Sequence, residues 1–243
     1  MANGRDKVAS MRLRLSAVDY LISVKQRHRY AELEECTGLK PSVLTRYVKG
    51  RVIPTEKRAK WLIATLSEHF GLKALFMDYV YVDPAGMVDD TELIANPSVL
   101  RLAAAEAAVK FGDLRANRVV TMASDGIAYA AFVADTLGAK MVIAKKEREK
   151  GVKKFVSSEA PIGDSGLFLT AYAPASSIRK TDRCLIVDDL VRSGETQEAL
   201  TNLVKQVGAE LLGYSFLVAV TDKWKSKIEP DKPLHIVLSI NFH

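Results

Sequence analysis

Residues 184–196 read CLIVDDLVRSGET, from Cys184 to Thr196, and this stretch decides the architecture of the chain. Cys184 to Val187 is a short apolar run of the kind a strand buried on both faces shows, and Glu195 to Val207 then reads at helical period. A strand therefore passes into a helix through a short loop. That loop lies at the carboxyl end of the strand, where open α/β sheets bind their ligands. Asp188 and Asp189 put adjacent carboxylates there, suited to accept hydrogen bonds from vicinal hydroxyls. Past them, Ser193, Gly194 and Thr196 offer hydroxyls and close backbone approach at a helix N-terminus, where N–H groups and the macrodipole favour a phosphate dianion.

Working outward, the C-terminal part alternates as a parallel sheet requires. A helix is predicted from Pro97 or Ser98 to Phe111, with an alanine-rich face that costs little side-chain entropy to pack. Arg118 to Met122 reads as a strand, Ala123 to Gly126 as a small-residue loop, Ile127 to Leu137 as a helix and Lys140 to Ala144 as the next strand. Further strands are predicted at Lys153 to Ser157, Gly166 to Tyr172, Leu211 to Val220 and Leu234 to Ile240.

With its apolar quartet, two acids, two apolar residues and small hydroxyl-bearing loop, the stretch from Cys184 to Thr196 resembles the phosphoribosyl pyrophosphate signature of type I phosphoribosyltransferases. Arg192 departs from it, standing where those enzymes mostly carry Thr or another small residue. The resemblance covers about residues 95 to 243 and leans to the orotate branch. It implies an α/β fold whose mostly parallel sheet is flanked by helices.

The same resemblance implies that Ala123, Ser124, Asp125 and Gly126 meet pyrophosphate. It also sets Lys145, Lys146 and Glu147 at the start of a mobile basic loop, with Arg148 within it and Gly151 closing it; the loop histidine of orotate enzymes is absent. Asp222 and Lys223 stand where orotate enzymes carry an Asp-Arg pair, and lysine lacks arginine's planar fork for a carboxylate. The effector-site residues implied are therefore Asp188, Asp189, Arg192 to Thr196 with Glu195 included, Ala123 to Gly126, Lys145, Lys146 and Arg148. No cofactor is required, except that magnesium would accompany phosphoribosyl pyrophosphate. Cys36 and Cys184 are the only cysteines and lack metal-ligand spacing, so no metal site is expected.

Charge separates the two ends of the chain. Residues 1–70 hold 14 of the 35 Lys and Arg but only 7 of the 29 Asp and Glu, which leaves the remainder close to neutral. A basic segment on a neutral domain is the footprint of a phosphate-backbone binder. Patterning agrees with this. An amphipathic helix is predicted over Ser16 to Gln26, capped by Ser16, followed by Tyr30 to Thr37 ended by Gly38, a third helix starting at Pro41 or Ser42 and ending at Gly50, and a fourth from Thr55 to Leu66.

Two helices joined by a tight Gly-containing turn, the second short and polar outside, describe a helix-turn-helix, and this segment looks like the phage-repressor type of DNA-binding domain. Ser42, Thr45, Arg46 and Lys49 on the third helix, with Arg51 beyond it, are then the candidates to touch double-stranded promoter DNA. Arg46 is placed for bidentate guanine reading, Lys49 and Arg51 for phosphates. The expected organisation is a helix-turn-helix domain over residues 1–70, a linker over 71–96 and an effector-binding domain over 97–243.

That order of parts resembles the archaeal glucose/fructose-regulator (GfcR-type) family, and a bacterial purine repressor combines similar ones. The resemblance implies a homodimeric transcriptional regulator of sugar or central carbon metabolism, and the missing loop histidine, Arg192 and Lys223 point to a regulator rather than an enzyme, with residual phosphoribosyltransferase activity left open. Its implied effector is a sugar phosphate such as 2-keto-3-deoxy-6-phosphogluconate or phosphoribosyl pyrophosphate. The alternative is an active orotate or purine phosphoribosyltransferase with a DNA-binding head. A charged N-terminus and the lack of any apolar stretch long enough to cross a bilayer lead to the expectation of a cytoplasmic protein without membrane contact.

Overall fold

The computed structural model describes residues 4–241; the terminal His243, which the sequence gives no role, lies outside them. The first helix, α1, runs Gly4–Arg27, and its buried residues Leu13, Ala17, Tyr20, Leu21 and Val24 fall on one helical stripe. Ser16 therefore sits inside the helix and is buried, rather than capping it. Arg12 and Arg14, in the charged N-terminal stretch, are part of the same helix, and Leu13 between them belongs to its buried stripe.

Helices α2 (Tyr30–Thr37) and α3 (Pro41–Val48) follow, joined through Gly38 at φ 63°, a left-handed conformation that favours glycine. Helix α4 (Glu56–His69) starts where Thr55 accepts a hydrogen bond from the Arg58 amide at 3.3 Å. A short helix α5 (Lys73–Met77), the two-residue strands β1 (Tyr81–Val82) and β2 (Val88–Asp89), which pair antiparallel, and a single turn α6 (Thr91–Ile94) lead to α7 (Pro97–Phe111). Asn96 caps α7 by accepting from the Ser98 and Val99 amides, with Pro97 at the first helical position.

The central sheet is parallel throughout, in the order β4-β3-β7-β8-β9. Its strands are β3 (Arg118–Met122), β4 (Lys140–Ala144), β7 (Arg183–Val191), β8 (Glu210–Val220) and β9 (Leu234–Ile240). Helix α8 (Gly126–Leu137) connects β3 to β4, and α9 (Glu195–Val207) connects β7 to β8. Strands β5 (Phe155–Pro161) and β6 (Phe168–Pro174), which the sequence order suggests for the parallel sheet, instead pair with each other as an antiparallel hairpin.

Alternation along the strands divides the interior into two layers. Val119, Leu185 and Val187 join the core shared with α1, α4, α7 and α8, whereas Val120, Cys184 and Ile186 join the core beneath α9 and the hairpin. The first core runs without a break from Leu13 in the N-terminal helices to Leu238 in β9. Ala103, Ala104, Ala107 and Ala108 let α7 sit close between the sheet and the N-terminal helices. Among the described residues no helix is long and apolar enough to cross a membrane.

Strand order reverses between β3 and β7, since β4 lies to one side of β3 and β7 to the other. A crevice at the carboxyl ends of these two strands is where such sheets place a ligand.

Candidate functional site

Strand β7 extends to Val191, so Asp188 and Asp189 lie within the strand and not in the loop after it, which shortens the loop to Arg192, Ser193 and Gly194. Both acids are buried. Gln197, in the first turn of α9, donates a hydrogen bond of 2.7 Å from Nε2 to Asp188 Oδ2. Burial and the neighbouring Asp189 carboxylate push Asp188 well above the usual carboxylate range; burial likewise raises Asp189.

The loop after β3 faces this pair. A Cβ at Gly126 would lie 2.2 Å from Asp188 Oδ1 and 2.6 Å from Thr121 Oγ1, so only glycine lets α8 begin against the acid. The Ala123–Ser124 peptide in the same loop is cis, and the Ser124 hydroxyl donates to Asp125 at 2.7 Å. Gly194 adopts φ 92° where a Cβ would sit 2.7 Å from Lys227 Cβ and 2.9 Å from Trp224 Cα. Glycine is thus required there twice over, by conformation and by close approach. It offers α9 no side-chain cap, which leaves the first-turn N–H groups open to an anion.

Other expected residues are turned differently. The Ser193 hydroxyl donates to Glu195. Thr196 is half-buried in the first turn of α9. Arg192, which departs from the signature, directs its Nη1 to Met87 Sδ at 3.0 Å, so it reaches the β1–β2 hairpin. In the basic loop, Lys145 pairs its backbone with Tyr172 and its Nζ with Glu149 at 2.8 Å, Arg148 stacks over the Tyr172 ring at 5.2 Å, and Lys146 is exposed. This loop continues β4, one strand beyond β3 from the acid pair.

Sequence reasoning overlooked Asp90. It lies in the segment read as linker, yet its Oδ2 is buried without a hydrogen-bond partner, and burial together with Asp189 and Asp125 pushes its carboxyl up to about 6. Thr121 Oγ1, fully buried beside Gly126, also lacks a partner. Neither residue belongs to a motif; only the folded chain brings them to the acid pair. Gln197 could have been found, since it falls in the first turn of a helix whose N-terminus the sequence already marks.

At the end of β8, Thr221 adopts φ 63° and its Oγ1 donates to the Arg192 carbonyl at 3.3 Å. Trp224 is buried edge-on against Phe216 and donates from Nε1 to the Thr221 carbonyl at 2.8 Å, while Lys223 is exposed. Far from these groups, a cleft of about 700 Å³ opens at the amino-terminal ends of β3 and β4 between α1, α4 and α8. The acid pair and its two glycine-bearing loops, which together make a cradle, lie instead at the opposite, carboxyl ends of β3 and β7.

In the N-terminal helices, Ser42, Arg46 and Lys49 are exposed on or at the end of α3, Thr45 is half-buried on it, and Arg51 is exposed beyond. Ser42, Thr45, Arg46 and Lys49 recur at three- and four-residue spacing along a helix anchored by Leu44 in the core.

Comparison with known proteins supplies context for this geometry. The chain is 31% identical over 154 residues to an adenine phosphoribosyltransferase of Anaeromyxobacter sp., which covers 62% of the chain and 84% of that protein. It is 29% identical over 135 residues to the purine biosynthesis transcriptional repressor PurR of Bacillus subtilis, 56% of the chain but only 47% of that protein. Among solved structures, adenine phosphoribosyltransferase from Rhodothermus marinus superposes with a TM-score of 0.62 at 25% identity, covering 69% of the chain and 97% of that structure.

These findings correct the expectation that the chain is not an enzyme, because the relatives it matches include enzymes named for phosphoribosyl transfer to adenine and, in Streptococcus equi, xanthine. They also move the resemblance from the orotate branch toward the purine one. The Phosphoribosyl transferase domain family matches residues 91–243, and the chain belongs to that family.

Proposed function

We propose that the α/β body binds phosphoribosyl pyrophosphate with magnesium and transfers its ribose phosphate to a purine base. The observation that carries this reading is the buried acid pair, Asp188 and Asp189, set in β7 between two helix N-termini that glycine alone can open. The names of the relatives support the choice of a purine.

In this reading the N–H groups at the start of α9 receive the 5′-phosphate and those at the start of α8 the diphosphate. Asp188 and Asp189 accept hydrogen bonds from the ribose hydroxyls, with Gln197 holding the Asp188 carboxylate in place. The partnerless oxygens of Thr121 and Asp90 at the same place give an incoming polar ligand further groups to meet. These residues fit a magnesium–diphosphate ligand: an ion held by substrate phosphates and one or two carboxylates, here Asp188 or Asp189, would supply positive charge beside the diphosphate. As the base nitrogen bonds to C1′, the bond from C1′ to the diphosphate oxygen breaks. The chain's part is to fix both groups in line and to hold the donors where charge appears.

The test is to incubate the full chain with phosphoribosyl pyrophosphate, magnesium and adenine, xanthine, hypoxanthine or guanine in turn, and to follow nucleotide formation. One base should yield its nucleoside monophosphate, and Asp189→Asn should abolish it. No product with any base would overturn the transfer.

A second reading concerns the N-terminal helices and is favoured by the similarity to PurR and by the basic charge of residues 1–70. Here α3 presents Ser42, Thr45, Arg46 and Lys49, with Arg51, to double-stranded promoter DNA, and a dimer sets the spacing of two such helices. A sugar phosphate in the cradle, whether phosphoribosyl pyrophosphate or a sugar acid such as 2-keto-3-deoxy-6-phosphogluconate, then shifts DNA affinity. A coupling of about 1 to 3 kcal/mol is enough to change occupancy several-fold.

A further inference from the structure

Beneath the cradle, a line of buried polar groups crosses the molecule. The Tyr20 hydroxyl on α1 donates to Glu106 Oε1 on α7 at 2.6 Å. Glu106 Oε2 lies 3.3 Å from His235 Nε2 on β9, and His235 Nδ1 lies 2.9 Å from Ser215 Oγ on β8. Ser215 Oγ in turn meets the Tyr129 hydroxyl at 2.7 Å. Tyr129 stands in the first turn of α8, the helix that opens at Gly126. Ser67 of α4 lies beside both Tyr20 and Glu106.

The hydroxyls of Tyr20, Ser215 and Tyr129 belong to fully buried residues, while the Glu106 and His235 side chains, each 10% exposed, line a surface cavity of about 410 Å³. Hydrogen-bonded chains of this kind are worth more in a low-dielectric interior, and a member left unpaired there is costly, so the groups rearrange together or not at all. Glu106 is the junction, with one oxygen facing the N-terminal helices and the other facing the sheet. None of these residues touches the proposed substrate positions, so the proposed chemistry leaves the chain of contacts without a role.

We infer that Glu106 is a positioning residue for the diphosphate loop: through His235, Ser215 and Tyr129 it ties the N-terminal helices to the start of α8, so that occupancy of residues 123–126 is felt in α1 and α4. The inference rests on the anion-binding role proposed for that loop. The coupling has a continuous physical route, whose two ends are hydroxyls that can be removed without emptying the core.

Amide hydrogen exchange on the full chain tests it, with and without magnesium phosphoribosyl pyrophosphate, for wild type, Tyr20→Phe, Tyr129→Phe and Glu106→Gln. Lys60→Ala serves as the control, since it breaks a different link between the N-terminal helices and the body, the 2.8 Å pair of Lys60 with Asp113. Without ligand, Tyr20→Phe should speed exchange in the segment 123–130 several-fold, although Tyr20 lies on α1, whereas Lys60→Ala should leave that segment unchanged. Glu106→Gln, which keeps the size of the side chain, should speed exchange at both ends. With ligand, protection should reach α1 and α4 in wild type but stay within the body in Tyr129→Phe, at a ligand affinity within about threefold of wild type.

Unchanged exchange of 123–130 in Tyr20→Phe, or full protection of α1 and α4 in Tyr129→Phe, would overturn the tie. A wild-type chain that fails to bind the ligand would overturn the proposed function alone; the ligand-free comparison then decides the tie by itself.

Discussion

Gly126 and Asp188 approach so closely that a Cβ on the glycine would stand 2.2 Å from the Asp188 Oδ1 atom. The contact joins the start of α8 to the acid pair of β7, so the loop after β3 cannot shift without disturbing Asp188. Replacing Gly126 with alanine forces either the carboxylate or the helix to shift, at a cost of about 1 to 3 kcal/mol for overpacking. The thermal midpoint should fall, and affinity for magnesium phosphoribosyl pyrophosphate measured by calorimetry should fall at least tenfold. An unchanged affinity would mean that Asp188 and the 123–126 loop do not serve one ligand.

Gln197, buried in the first turn of α9, holds the other oxygen of Asp188 at 2.7 Å. Gln197→Leu keeps the volume close and removes the donor. A buried carboxylate that loses a hydrogen bond costs about 1 to 3 kcal/mol. Since the bond favours the ionised acid, its loss raises the already raised carboxyl further. The destabilisation should therefore be largest at alkaline pH and shrink as pH falls and Asp188 protonates, a trend that melts across the pH range will reveal.

Residues whose roles are set locally were legible in the sequence. The β7–α9 junction could be read because an apolar run, a glycine and a helical period lie side by side, and Thr55 and Gly38 mark helix ends by the same local chemistry. Failures occur where tertiary packing decides. Ser16 has the chemistry of a cap but is buried inside α1, because the face of Leu13, Ala17 and Tyr20 continues through it. Strands β5 and β6 have strand composition, yet nothing local says that they leave the parallel sheet to pair as a hairpin. Asp90 reads as one acid among several in a turn-rich stretch; only the return of that stretch over the sheet sets it near Asp189. Glu106 is hidden among alanines for the same reason.

Asp90 makes a pH-dependent prediction. Its carboxyl is raised from 3.8 to about 6 by burial and by Asp189 and Asp125. A folded-state value above the unfolded one means that the protonated acid suits the fold: the favourable contribution is complete below pH 3.8 and is lost as pH rises through about 6. Asp90→Asn removes that penalty. Discounted for partial solvent screening, the gain is about 1 kcal/mol, or ~2–4 °C in Tm for a chain of this size. The variant should melt higher than wild type at pH 7.5 and equal to it at pH 4. Equal melting at both values would show that Asp90 is well solvated.

Arg46 lies exposed on α3, whose Leu44 is anchored in the core, so its side chain can be cut back without disturbing the fold. If α3 reads DNA, a guanidinium there makes a bidentate contact with one guanine, and Arg46→Ala should cost about 1 to 3 kcal/mol on the preferred duplex while leaving non-specific binding nearly intact. Lys49→Ala, by contrast, should weaken all duplexes alike and lower the salt dependence, as loss of a phosphate contact does. Fluorescence anisotropy on duplexes from the chain's own upstream region, at two salt concentrations, separates the two patterns. Loss of sequence preference in Lys49→Ala and none in Arg46→Ala would reverse the assignment, and equal affinity of wild type for single-stranded RNA and duplex DNA would remove promoter reading from the N-terminal helices altogether.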